Sequence, residues 1–132
     1  MIKPEAMPYR TEITAKIRQN LDITEQKELI LADWAISELY DDLSEDLWLA
    51  TRFALSRTVE LGLVQGDNAI AKMYGIAGTQ TAPKECENDS LRFLYGIAEP
   101  IFVGGVKYYK NAIHRPRNSK EAIKDIGIFR RL

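Results

Sequence analysis

The chain has 132 residues, 45% apolar and 28% charged, with a formal net charge of −1 and one cysteine. That length holds a single core and the composition excludes wholesale disorder, while Cys86 alone can form neither an intrachain disulfide nor a thiolate metal cluster. No apolar run nears the ~20 residues needed to span a bilayer, the first residues lack the order of a secretory signal, and no 20- to 50-residue repeat is present.

Pro4 and Pro8 remove two backbone donors and disfavour helix before them, so residues 1–8 read as an extended arm. Ile13, Ile17 and Leu21 then recur every fourth position, which predicts a short helix over 9–21 with a narrow apolar stripe, ordered by a partner. Asp22 and Glu25 have capping-box spacing and open a second predicted helix bearing Leu29, Ile30, Trp34, Ile36, Leu39 and Tyr40. Ser44 is a candidate N-cap for a third, in which Leu47, Trp48, Thr51, Ala54, Leu55, Thr58 and Leu61 continue to a stop at Gly62.

Gly66-Asp67 predicts a turn, and Ala69, Ile70, Met73 and Tyr74 a shorter helix ending around Gly75 and Gly78. Residues 78–88 read as a loop. Asn88 or Asp89 caps a further helix from Leu91 to Tyr109, kinked or divided at Pro100. Asn118 and Glu121 repeat the capping-box spacing before a last helix that ends at Gly127. Ile101 to Val103 is too short and unpartnered to count as a strand. The predicted fold is all-α: a bundle of about four core helices over 22–132, preceded by an N-terminal extended and helical arm over 1–21.

Charge is strongly polarised along this chain. From Lys107 onward eight basic side chains face two acidic ones, a net of +6, whereas residues 1–106 carry ten basic and seventeen acidic, a net of −7. Residues 22–46 hold nine carboxylates against Lys27. Such a dipole suits a polyanion, with lysines and arginines positioning phosphates without reading bases. Asp41/Asp42 and Glu45/Asp46 are adjacent pairs without metal-ligand spacing, so a solvated helix terminus outweighs a metal site. His114 and Cys86, each single, lie in no catalytic motif; His114 is assigned to the basic turn and Cys86 to a loop or a small apolar contact. Neither glycine group forms a phosphate-cradling motif.

The stretch Tyr74-Gly75-Ile76-Ala77-Gly78, then Gly105-Val106-Lys107-Tyr108-Tyr109 and a turn at Pro116, resembles the major coat proteins of filamentous archaeal viruses, of the rudivirus and lipothrixvirus type. The resemblance implies a non-enzymatic virion protein that wraps double-stranded DNA in a helical filament. It implies assembly as a homodimer or a heterodimer with a related coat protein, higher helical assembly, contact with a lipid envelope and no cofactor. On this reading residues 1–21 are a DNA-wrapping or partner-binding arm. Charge and position make Lys3, Arg10, Lys16, Arg18, Lys107, Lys110, Arg115, Arg117, Lys120, Lys124, Arg130 and Arg131 the candidate nucleic-acid contacts. The alternatives are a small helical sequence-specific DNA-binding regulator and a nonviral protein-interaction adaptor.

Overall fold

A computed structural model describes all 132 residues. A 3-10 turn (Pro4–Tyr9) leads into α1 (Arg10–Arg18), followed by β1 (Asp22–Leu29), α2 (Asp33–Leu39), α3 (Glu45–Ala54), β2 (Val59–Gln65) and α4 (Ala69–Ala77). After a 3-10 turn at Pro83–Glu85 come α5 (Leu91–Tyr95), β3 (Ile101–Val103), β4 (Val106–Tyr108) and α6 (Ser119–Arg131). The architecture is therefore mixed α and β, which corrects the all-α bundle.

Strands β1 and β2 pair antiparallel from Asp22↔Gln65 to Leu29↔Val59, with a bulge between Ile23 and Glu25. The first residues extend this sheet: Ile2 forms antiparallel bridges to Glu60 on one side and Ile113 on the other. The spatial order is thus β1, β2, the Ile2 segment and the Ile113 segment, with α1 and α4 as the crossings. This is the βαββαβ arrangement of a ferredoxin-like fold. The N-terminal segment is an inner member of the sheet, not a free arm.

Two packed clusters hold the layers together. Ile2 and Ile113 join Ile13 and Ile17 of α1 and Met73 and Ala77 of α4, while Val59 and Leu61 of β2 join Ala35 and Ile36 of α2 and Ile128 and Phe129 of α6. The stripe on α1 suffices because Ile13 and Ile17 are both buried, at about 1.5–3 kcal/mol for each fully buried side chain. No outside partner is needed to order this helix.

The strands escaped the sequence reading for a local reason. In β1 only Ile23, Lys27 and Leu29 are partly buried, and the bulge breaks their alternation. Asp22 and Glu25 consequently mimic a helix start. The stretch from Val59 through Leu61 to Val64 continues in strand what α3 begins in helix, since α3 stops at Ala54. The predicted long helix from Leu91 ends at Tyr95, and the stretch rejected as a strand is β3, paired with β4 around Gly104-Gly105. Both glycines have positive φ, 57° and 80°, which a two-residue hairpin turn requires. Two caps match expectation: Ser44 Oγ accepts from Leu47 N, and Asn118 Oδ1 accepts from Glu121 N at 3.0 Å.

Candidate active site

The segment from Asn111 to Arg117 carries the edge position Ile113 of the sheet and is fastened on several sides. Lys3 N donates to Ala112 O at 2.8 Å and His114 N to Met1 O at 3.0 Å, while the Glu5 carboxylate accepts from Ala112 N at 2.9 Å. Ala112 is buried with φ 68°, a left-handed conformation that a non-glycine residue adopts only where its surroundings enforce it. Ile113 N bonds back to Asn111 O at 2.7 Å. The chain is held in a tight turn two residues ahead of its only histidine.

His114 Nε2 lies 2.9 Å from Asp125 Oδ2 on α6, with the two side chains 18% and 16% exposed. An ionised carboxylate can only accept, so Nε2 carries the proton and Nδ1 keeps its lone pair. Nδ1 has no hydrogen-bond partner in the chain. Burial pushes the imidazole below its ordinary 6.5, and Asp125 partly offsets this, so the ring is neutral at pH 7. The Tyr40 ring stands edge-on to the imidazole at 5.1 Å.

The Tyr40 hydroxyl is buried without a partner, and burial raises its pKa well above the ordinary value. An orphaned buried hydroxyl costs on the order of 1–3 kcal/mol. Tyr40→Phe is therefore expected to leave the melting temperature unchanged or to raise it, as thermal denaturation would show. A marked fall would mean that the hydroxyl has a bonding partner in solution.

These groups face a cavity of about 850 Å³ whose lining includes Lys3, Tyr40, Thr81, Arg92, Asn111, His114 and Arg115. Lys3 donates its Nζ hydrogens to Asn111 Oδ1 at 2.8 Å and Tyr108 OH at 3.3 Å. Burial lowers its pKa to about 8. Arg92 spans two carbonyls, donating from Nε and NH2 to Ile113 O and from NH1 to Gln80 O. Neither cation has a carboxylate partner. Two uncompensated cations beside a neutral imidazole form a site for a multiply charged anion. Tyr108 also packs against Ala50 and Ala54 of α3, so the β3–β4 hairpin reaches Lys3 through one buried side chain.

Of the twelve basic candidates, six line this cavity: Lys3, Lys107, Arg115, Arg117, Lys120 and Lys124. Arg117 is paired with Glu121 at 2.6 Å and Lys124 with Asp41 at 3.0 Å, and Lys107 and Lys120 are exposed. The other six lie elsewhere. Arg10 pairs with Glu28, Arg18 bonds Gln26, Arg131 pairs with Glu38, Arg130 is exposed, and Lys16 and Lys110 are half-buried. The charge reading missed His114, Asp125, Tyr40, Thr81, Asn111 and Arg92, whose common feature is convergence in space. No group of three His, Cys, Asp or Glu side chains is arranged to hold a metal ion.

Residues 1–131 match the family model described as nucleoside diphosphate kinase. The chain belongs to the nucleoside diphosphate kinase family. Solved structures of such kinases share its fold. The Aquifex aeolicus enzyme is 20% identical with a TM-score of 0.77, covering 97% of this chain and 89% of its own. The Encephalitozoon cuniculi enzyme is 22% identical with a TM-score of 0.79, covering 97% and 84%. The Borrelia burgdorferi enzyme, in a transition-state mimic with vanadate and ADP, is 21% identical with a TM-score of 0.76, covering 97% and 82%. No curated protein matches the sequence.

Membership of the nucleoside diphosphate kinase family overturns the coat-protein resemblance. The short tyrosine-glycine motifs on which it rested serve here as the end of α4 and the β3–β4 hairpin. The non-enzymatic virion role, the double-stranded DNA partner, the dimer with a related coat protein, the filament and the envelope contact all fall with it. The regulator and adaptor alternatives fall too, because the family is one of phosphotransfer enzymes.

Proposed function

We propose that this chain transfers the terminal phosphoryl group of a nucleoside triphosphate to a nucleoside diphosphate, with His114 as the group that carries it between the two. The observation that supports this reading most is the 2.9 Å contact between His114 Nε2 and Asp125 Oδ2. Asp125 holds the proton on Nε2, which leaves Nδ1 as an unprotonated nucleophile beside uncompensated cations. In the first half-reaction Nδ1 forms a bond to the γ-phosphorus while the bond from phosphorus to the bridging β-phosphate oxygen breaks. The nucleoside diphosphate departs with that electron pair. In the second, a terminal β-phosphate oxygen of the acceptor attacks the same phosphorus and the N–P bond breaks.

Each half-reaction spreads negative charge over the transferring phosphoryl oxygens, and fixed cations in a partly desolvated site stabilise that charge. Lys3 and Arg92 are oriented for this by their hydrogen bonds to Asn111, Tyr108, Gln80 and Ile113. When Nδ1 is phosphorylated the imidazole becomes cationic, and the Asp125 carboxylate lies against the resulting Nε2–H.

The test is to mix the protein with a triphosphate labelled at the γ-position and no acceptor. Expected is a labelled protein, stable to alkali and labile to acid as a phosphohistidine is, that discharges its label onto an added nucleoside diphosphate. Absence of label under conditions that turn over substrate would overturn the reading.

The pH profile follows from the same groups. kcat/KM is expected to rise with pH through a value below 6.5 as His114 loses its proton, and to fall above about 8 as Lys3 loses its own. Steady-state rates across pH 5–9 would show both limbs. An acidic limb above 6.5 would mean that another group controls the nucleophile.

A further inference from the structure

Arg115 is 8% exposed, and its charge is the third buried one in the cavity without a carboxylate partner, after Lys3 and Arg92. Its NH2 donates to Gly78 O at 2.9 Å, its plane lies over the Tyr74 ring at 4.2 Å, and its Nε is buried with no partner at all. A guanidinium so placed pays for burial twice, in lost hydration and in repulsion from Arg92, and both push its pKa down, to about 10. Capping the C-terminal end of α4 at Gly78 satisfies one donor and accounts for neither the position over Tyr74 nor the unpaired Nε.

We propose that Arg115 is a phosphate-binding residue of this site, whose guanidinium donates an N–H that Gly78 does not engage to a phosphate oxygen of the bound nucleotide. The proposal rests on the nucleotide reading above and adds to it a residue that the Lys3, Arg92 and His114 set does not contain. The stack on Tyr74 and the bond to Gly78 fix the guanidinium before a ligand arrives, so little side-chain freedom is lost on binding. Gly78 is suited to this role: its φ of 115° is strained for any other residue, and a Cβ there would meet Cys86 Sγ at 2.9 Å. Placing the charge immediately after the histidine sets a phosphate donor and the phosphoryl acceptor on one rigid turn.

Two measurements separate this proposal from the reading on which it rests. Labelling by a γ-labelled triphosphate tests His114, whereas calorimetric titration of ADP into unlabelled protein tests Arg115. Arg115→Gln is expected to weaken ADP binding by about 10- to 100-fold, the worth of one charge-assisted hydrogen bond. Arg115→Lys should recover only part of it, since lysine keeps the charge without the planar fork. Tyr74→Leu removes the platform and is expected to weaken binding by about 3- to 10-fold. A purely structural arginine would lower the melting temperature of Arg115→Gln and leave the affinity of the folded protein for ADP unchanged, and that result would overturn the proposal. If Arg115→Gln does not fold, unchanged ADP affinity in Tyr74→Leu would do the same. Wild-type protein that binds ADP but takes no label would sink the histidine reading and leave Arg115 to be judged by binding alone.

Discussion

His114→Gln is expected to abolish phosphoryl transfer, lowering kcat by about 10⁴-fold or more, while the protein stays folded and still binds nucleotide. The chain has one histidine, so no second imidazole can take over. Glutamine is close in length and can donate an amide N–H to Asp125 as Nε2 does, which limits the structural damage. It offers no basic lone pair, and the phosphoryl group then has no covalent resting place between donor and acceptor. The step must become direct transfer between two polyanions, which repel each other and have to be bound together. Acid-labile label should disappear in this variant, and ADP titration should remain near wild type because Lys3 and Arg92 keep their hydrogen bonds. Label retained in His114→Gln would assign the nucleophile to another residue.

Several helices were legible in the sequence because their signals are local. Ser44 and Asn118 cap the helices that they were expected to cap, and the Gly66-Asp67 turn precedes α4. The sheet was not legible, because β1 is mostly exposed and broken by a bulge and two of the four members are barely strands. The first residues contribute a single bridged position, Ile2, and the segment before the histidine contributes Ile113. Neither is long enough to show a two-residue alternation. What pairs them is backbone hydrogen bonding between distant segments, Ile2 with Glu60, Lys3 with Ala112 and Met1 with His114, which no window of sequence contains.

The site was partly legible, for a reason that also explains the error. Uncompensated positive charge is a sound signal of a phosphate-bearing partner, and Lys3 and Arg115 both line the cavity. The sum over the C-terminal residues counted charges that the fold neutralises, such as Arg117 with Glu121 and Arg131 with Glu38. It overlooked Arg92, which lies in a segment of no net basic character. Spread along a surface, such charge would suit a duplex; gathered around one histidine, it suits a single nucleotide. Distance in space, which sequence order conceals, separates those outcomes: Lys3 and Asn111 are 108 positions apart in the chain, and Nζ of one lies 2.8 Å from Oδ1 of the other.

The second large effect is expected from Asp125→Asn, about 10²- to 10⁴-fold in kcat with little change in nucleotide affinity. Asp125 is a positioning residue: it touches the imidazole and not the phosphate. As a carboxylate it can only accept, which obliges Nε2 to carry the proton. Asparagine can turn its amide and donate to Nε2 instead, whereupon the proton moves to Nδ1 and the nucleophilic lone pair is lost. The same inversion explains the large loss when a triad aspartate is replaced by asparagine in a serine protease. The pH dependence should move in the opposite sense to a simple loss of activity. Asp125 holds the His114 pKa up against burial, so the acidic limb in the variant should shift to lower pH even as the plateau falls. Nitrogen chemical shifts of the single histidine distinguish the two tautomers directly, with Nε2–H expected in the wild type and a growing Nδ1–H population in Asp125→Asn. A slow variant that retained the wild-type tautomer would show that Asp125 acts through the charge it sets against the phosphorylated ring, and not through the proton that it places.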